Sequence, residues 1–156
     1  MSAPTRPRTP QAVLFACGQN SVRSPMAESL LHQMFPKALY VKSAGVRKGE
    51  LDPFAVAVMA ELGQDISKHK PMTFDELEDW EGLNFDLIIT LAPEAHHKAL
   101  ELTRTLAADV EYWPTPDPSI AADGSREQRL DAYRAVREQL MARIKQRFDW
   151  RTGGNE

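Results

Sequence analysis

Short apolar runs alternate with amphipathic segments along the chain, and this alternation restricts the possible folds more than any other feature of the sequence. Residues 13–17 are apolar and are followed by Gly18, as expected at the end of a buried strand. Residues 85–91 form a nearly continuous apolar run, which is typical of a strand covered on both faces. The whole order is βαβα(α)βαβα. It predicts an α/β fold of three layers, a four-stranded parallel sheet with helices on both faces.

Proline and capping residues predict where several helices begin. The pair Ser24-Pro25 combines a residue that caps free N–H groups with one that suits the first helical position. The pair Asp52-Pro53 repeats this pattern. Thr73 and Glu76 have the spacing of a capping box, which predicts a short additional helix.

Length and composition indicate one globular domain. The chain has 156 residues, of which 42% are hydrophobic, and this supplies enough apolar surface for one core. We assign this domain to residues 11–150. We expect a flexible N-terminal tail at residues 1–10 and a frayed end at residues 151–156.

Charge and hydropathy limit the partners that we expect. Lys and Arg number 19 against 22 for Asp and Glu, whereas general nucleic-acid binding normally requires a basic surplus. The first apolar run, residues 12–17, is too short to span a bilayer, and no signal-peptide pattern precedes it. We therefore expect a cytoplasmic protein with neither a nucleic-acid nor a membrane partner.

The predicted sheet also indicates where a ligand would bind. In open parallel sheets, ligands lie beyond the carboxyl ends of the strands. Four segments should meet there: residues 17–24, 43–51, 91–94 and 113–119.

The first of these segments contains the single cysteine of the chain, Cys17. One thiol excludes an intrachain disulfide and multi-cysteine zinc sites, and most lone cysteines simply fill a core. However, Cys17 lies at a strand end, and five residues separate it from Arg23. A loop of this length at a helix N-terminus can wrap a tetrahedral oxyanion with backbone N–H groups, while an arginine binds two oxygens. The same positive environment stabilises a thiolate, the nucleophilic form of cysteine.

The segment Cys17-Gly18-Gln19-Asn20-Ser21-Val22-Arg23-Ser24-Pro25-Met26-Ala27-Glu28 resembles the signature of the low-molecular-weight protein tyrosine phosphatases. Bacterial arsenate reductases of the same fold carry a similar loop. Further matches follow in the same order, at Ser43-Ala44-Gly45, Asp52-Pro53, Ser67-Lys68-His69-Lys70 and Asp117-Pro118. The resemblance covers residues 12–148 and implies a phosphate loop between the first strand and the first helix.

The resemblance also implies roles for individual residues. Cys17 would be the nucleophile, Arg23 the phosphate clamp and Asp117 the general acid. The phosphate would be bound along the loop, by Gly18, Gln19, Asn20, Ser21, Val22, Arg23 and Ser24. The supporting residues would be Asn20, Ser24, Ser43 and His69, with Ser24 stabilising the thiolate. No metal ion or other cofactor is required, because Arg23 and the backbone N–H groups stabilise the phosphate oxygens.

Two interpretations of Asp117 follow from the residues alone. It lies in Trp113-Pro114-Thr115-Pro116-Asp117-Pro118, where three prolines would hold a catalytic acid in place. The alternative is that Asp117 and Pro118 merely begin a turn. The resemblance favours the catalytic interpretation.

The sequence departs from the family pattern around the predicted site. Ser119 and Ile120 follow the Asp-Pro pair where aromatic residues are frequent, and Arg47 and Lys48 occupy the loop after the second strand. Aromatic side chains around a site favour binding of the flat phosphotyrosine ring. Their absence here argues against specificity for phosphotyrosine. Val22 replaces a second cysteine that some members carry, so a protective disulfide cannot form within the loop.

Three functions are compatible with these observations. The first is hydrolysis of a phosphomonoester through a cysteinyl-phosphate, with a phosphorylated protein or a small phosphoester as substrate. The second is arsenate reduction coupled to an external small thiol, because a single cysteine cannot provide an internal relay. The third is a non-catalytic phosphate-binding module. In each case phosphate, sulfate or arsenate should bind in the loop.

Overall fold

The computed structural model describes residues 10–35, 39–120 and 124–148. The predicted frayed end lies outside these residues, as does the predicted tail except for Pro10, which is buried. In chain order the described elements are β1 (Ala12–Cys17), α1 (Arg23–Met34), β2 (Tyr40–Gly45), α2 (Pro53–Ala60), α3 (Phe74–Glu81), β3 (Leu87–Thr90), α4 (Pro93–Leu102), β4 (Asp109–Tyr112), a 3-10 turn (Pro118–Ile120) and α5 (Arg126–Phe148). The predicted element order is confirmed.

The four strands form one parallel sheet in the order β2-β1-β3-β4. Cys17 is paired with Gly45 on β2, and Ala16 with Thr90 on β3. The chain therefore continues from β1 to β2 on one side of β1, and it later returns to form β3 on the other side of β1. The carboxyl end of β1 is the point at which the strand order reverses, which is where open α/β sheets bind ligands.

Alternation along β1 divides the core into two layers. Val13 and Phe15 face α1, α2 and α5, whereas Leu14 and Ala16 face α3 and α4. All four side chains are fully buried. This arrangement confirms the predicted three-layer α/β fold, since a strand covered on both faces needs apolar residues at every position.

The predicted helix starts have different outcomes. The Asp52 carboxylate accepts the Phe54 N–H at 2.8 Å, and Thr73 and Glu76 form the predicted capping box. The predicted cap at Ser24 is wrong. Helix α1 begins at Arg23, and no side chain caps it, because the Ser24 hydroxyl is used inside the anion loop.

None of the helices in the described ranges is both long enough and apolar enough to cross a membrane.

Candidate active site

Cys17 lies at the carboxyl end of β1, at the base of a cavity of about 250 Å³. Residues 17–24, called the anion loop below, connect this strand end to α1. The Cys17 side chain is almost completely buried, and its Sγ lies 3.0 Å from the Ser24 hydroxyl. Arg23 and Asp117 line the same cavity. The fold thus brings together the three residues predicted to be catalytic.

Asn20 shapes the anion loop from the inside. Its backbone is in the left-handed region, with a φ of 58°, a conformation that asparagine tolerates better than most residues. Its buried amide nitrogen donates to the Ser24 hydroxyl at 2.8 Å and to the Ser43 hydroxyl at 3.0 Å. Its carbonyl oxygen accepts the backbone N–H of Met72 at 2.9 Å. These contacts hold the loop in a conformation that its backbone alone would not favour.

His69 and Glu28 continue this polar network behind the loop. His69 Nε2 lies 3.0 Å from the Asn20 carbonyl oxygen, and because that oxygen can only accept, we assign the proton to Nε2. The Ser43 hydroxyl donates to Glu28 Oε1 at 2.5 Å. The structure therefore brings together all the predicted supporting residues. Glu28 was not singled out, although it lies four residues after Ser24 on the same helical face.

Burial shifts the pKa values of both titratable groups in this network. Desolvation raises the pKa of Glu28, opposed by the Ser43 hydrogen bond and by the charge of Lys42. Desolvation lowers the pKa of His69, against the contact with Asn20. His69 Nδ1 lies 3.8 Å from Glu28 Oε1, but a histidine with a lowered pKa is mainly neutral at pH 7. This contact is therefore not a strong ion pair at neutral pH.

Arg23 is held by the loop that follows β4. Its Nη1 donates to the Thr115 carbonyl at 2.9 Å, and its Nη2 lies 3.7 Å from Asp117 Oδ2. The other carboxylate oxygen of Asp117 accepts the Ser119 N–H at 2.9 Å. Asp117 thus begins a turn and also directs an oxygen toward the cavity, so the two interpretations of this residue are compatible. Sequence reasoning gave no role to Thr115, whose carbonyl orients the guanidinium.

The loop after β2 runs alongside the anion loop. The backbone N–H groups of Val46 and Arg47 donate to the carbonyls of Cys17 and Gly18, at 3.2 Å and 2.8 Å. Above them the Arg47 guanidinium forms an ion pair with the Glu94 carboxylate, and both side chains line the cavity. Glu94 was also missed, although it lies in a segment expected at this edge of the sheet.

Cavity size alone would place the candidate site in a different part of the molecule. A more open cavity of about 880 Å³ lies between β4 and α5, and it contains none of the predicted site residues. We place the candidate site in the smaller cavity because the Cys17 thiol, the Arg23 guanidinium and the Asp117 carboxylate converge there. Within the described ranges, no cluster of three His, Cys, Asp or Glu side chains is arranged to hold a metal ion.

Comparisons with known proteins agree with this geometry. Residues 12–150 match the model of the family described as low molecular weight phosphotyrosine protein phosphatase. The glutaredoxin arsenate reductase of Synechocystis sp. is 32% identical over 133 residues, which cover 85% of this chain and 92% of that protein. Arsenate reductases of several other bacteria match at 32% to 35% identity.

Solved structures include both kinds of relative. A low molecular weight protein tyrosine phosphatase from T. tengcongensis has a TM-score of 0.71 and 27% identity, covering 89% of this chain and 98% of its own. An arsenate reductase in a phosphate-binding state has a TM-score of 0.67 and 27% identity, covering 89% and 97%. Fold and site thus define the structural class that these phosphatases and reductases share. Within that class, the chain belongs to the low molecular weight phosphotyrosine protein phosphatase family.

Proposed function

We propose that this protein hydrolyses phosphomonoesters through a cysteinyl-phosphate intermediate. The observation that carries the proposal is that Cys17, the only cysteine of the chain, shares one small cavity with Arg23 and Asp117. A thiolate, an oxyanion clamp and a carboxylic acid within one cavity are the groups that phosphoryl transfer to sulfur requires.

In the first step the Cys17 thiolate attacks phosphorus while the ester P–O bond breaks. Asp117 gives its proton to the departing oxygen, and an alcohol or phenol leaves. Arg23 and the backbone N–H groups of the anion loop stabilise the equatorial oxygens. The product is a cysteinyl-phosphate.

In the second step water attacks phosphorus and the S–P bond breaks. Asp117, now a carboxylate, accepts the proton of the attacking water. The sulfur departs as a thiolate, to which the Ser24 hydroxyl donates across 3.0 Å. Inorganic phosphate is released, and no reductant is consumed.

Turnover of p-nitrophenyl phosphate in the presence of a chelator tests this proposal. We expect hydrolysis by the natural sequence, none by Cys17→Ser, and a phosphorylated Cys17 peptide in the acid-quenched natural enzyme. Absence of hydrolysis of both p-nitrophenyl phosphate and an alkyl phosphate such as glycerol 3-phosphate would contradict the proposal, as would undiminished hydrolysis by Cys17→Ser.

Arsenate reduction is the second candidate, and the names of the relatives favour it specifically. The similar Synechocystis protein is named a glutaredoxin arsenate reductase. A chain with one cysteine could use a small external thiol. Cys17 would displace water from arsenate, one thiol would attack the Cys17 sulfur and release arsenite, and a second would release Cys17 and form a disulfide. Arsenic gains two electrons, and two thiols lose them.

The two candidates are distinguished with one preparation. One assay would measure phosphate release from p-nitrophenyl phosphate. A separate assay would measure arsenite formation from arsenate with glutathione and glutaredoxin. Arsenite formation without phosphoester hydrolysis would replace the first proposal by the second. Binding of phosphate without either reaction would leave a non-catalytic phosphate-binding module.

A further inference from the structure

Two oppositely charged side chains line the cavity that contains Cys17. Arg47 extends from the loop after β2, and Glu94 is the second residue of α4. The guanidinium contacts both carboxylate oxygens, with Nη2 to Oε1 at 3.2 Å. Among the residues that the structure describes, none of those lining this cavity is aromatic.

The position of this pair is determined by the anion loop. The Arg47 N–H donates to the Gly18 carbonyl at 2.8 Å, which anchors one end. A Cβ atom at Gly18 would lie only 2.5 Å from Glu94 Oε1, so the carboxylate occupies the space beside Gly18. The Arg47 hydrogen bond, with a smaller contribution from the Arg23 charge, lowers the pKa of Glu94. Both members of the pair are therefore charged at neutral pH.

A charged cavity side discriminates between leaving groups. A flat apolar ring placed against Arg47 and Glu94 would remove water from both without replacing its hydrogen bonds. A hydroxylated leaving group would instead donate to the carboxylate and accept from the guanidinium.

We propose that Arg47 and Glu94, called the charged wall below, direct the site toward hydroxyl-rich alkyl phosphates, such as sugar or polyol phosphates, and away from aryl phosphates. This inference rests on the hydrolytic function proposed above.

The charges of Arg47 and Glu94 cancel, so a single substitution changes the net charge of the cavity whereas a double substitution does not. This difference makes the proposal testable. Arg47→Met leaves the Glu94 carboxylate unneutralised beside the oxyanion, so we expect weaker inhibition by inorganic phosphate. Glu94→Gln leaves Arg47 as an unneutralised cation, so we expect stronger inhibition. The double variant Arg47→Met/Glu94→Leu removes one charge of each sign and should bind phosphate like the natural sequence.

The decisive measurement compares kcat/KM for 2-naphthyl phosphate and glycerol 3-phosphate. In the double variant we expect the ratio of aryl to polyol substrate to rise by roughly tenfold or more, because pocket contacts of this kind discriminate on that scale. Lys48→Met is the matched control. Lys48 is the neighbour of Arg47 and pairs with Glu76 at 2.9 Å, but it does not line the cavity. This variant should leave the ratio unchanged.

Two results would overturn the proposal. One is an unchanged ratio in the double variant. The other is a selective loss of aryl hydrolysis in Arg47→Met, which would mean that Arg47 stacks on the ring. A second measurement is needed when turnover is absent. Calorimetric titration then gives the affinities of 2-naphthyl phosphate and glycerol 3-phosphate for Cys17→Ser and for Cys17→Ser combined with the double variant, and their ratio measures the substrate preference. Failure of the hydrolytic function is thereby distinguished from failure of the charged wall.

Discussion

The Sγ atom of Cys17 and the Ser24 hydroxyl oxygen lie 3.0 Å apart, and both side chains are buried. While Cys17 is a thiol, either atom can donate in this hydrogen bond, but a thiolate can only accept, so Ser24 is then the donor. The Asn20 amide donates to the same hydroxyl oxygen at 2.8 Å, which leaves the Ser24 proton available for the sulfur. The Ala44 carbonyl, at 3.5 Å, is a more distant acceptor for that proton.

Ser24→Ala should reduce kcat for p-nitrophenyl phosphate by about 10- to 100-fold, the range expected for a lost hydrogen bond to a charged group. The thiolate is the leaving group of the second step, so a burst of p-nitrophenol should accompany the slower turnover. Ser29→Ala is the control, since Ser29 lies on the same helix but donates to Gln64, away from the cavity. An unchanged kcat in Ser24→Ala would exclude this role.

Asp117→Asn should have an effect that depends on the leaving group. Alkyl phosphates, which need a proton on the departing oxygen, should lose about 100-fold or more in kcat/KM, and p-nitrophenyl phosphate should lose less. The measurement is a series of esters of increasing leaving-group acidity. Asp109→Asn, on β4, should have no effect. An equal loss for all esters would show that Asp117 acts only through its contact with Arg23 at 3.7 Å.

Gly45→Ala should impair catalysis through the backbone. The added Cβ would lie 2.7 Å from the Arg47 carbonyl and 2.8 Å from the Asn20 nitrogen, so the anion loop must shift. A displacement of about 1 Å can reduce a rate by about 100-fold. Gly49→Ala is the control. Its Cβ would lie 2.6 Å from Gln19 Oε1, the end of a flexible side chain, and 3.1 Å from Gln19 Cβ, which needs to move by only a few tenths of an ångström. Similar kcat/KM values for the two variants would contradict the prediction.

Replacement of His69 should change how stability depends on pH. Burial lowers the pKa of His69 in the folded protein, so the unfolded chain binds the proton more readily. The contribution of His69 to the free energy of unfolding is therefore complete above its ordinary pKa of 6.5. It is lost as the pH falls through the pKa of His69 in the folded protein. His69→Gln, which still can donate to Asn20, should therefore flatten the rise in the free energy of unfolding between about pH 5 and 7. Urea denaturation across this range provides the measurement.

Glu28→Gln should have the opposite effect. Burial raises the pKa of Glu28, so its contribution is present below the ordinary value of 4.5 and is lost as the pH rises through the folded-state value. Without this carboxyl, the increase in stability from about pH 5 upward should become steeper. The same urea series tests this variant, and an unchanged slope would contradict the assignment.

Much of the fold was predictable because its signals are local. The continuous apolar run around Ile88 predicts a strand covered on both faces, and in the structure this strand is buried between the two helical layers. The Thr73–Glu76 capping box needs only three residues of separation. The predicted cap at Ser24 is wrong because the contacts that prevent it are not local. A free hydroxyl at a helix start caps only when no better partner is present, and here Cys17 and Asn20 are brought to it by the loop.

The sequence by itself determined the order of the elements, the loop from Cys17 to Arg23, and the exclusion of an internal cysteine relay. These follow from short-range periodicity, from a fixed spacing and from a count. The tertiary structure decided which distant groups meet at that loop. The pairing of Arg47 with Glu94 and the contact of His69 with Asn20 join residues 47 and 49 positions apart. Such contacts depend on where the crossover connections return to the sheet edge and on competition between polar partners, and local sequence encodes neither.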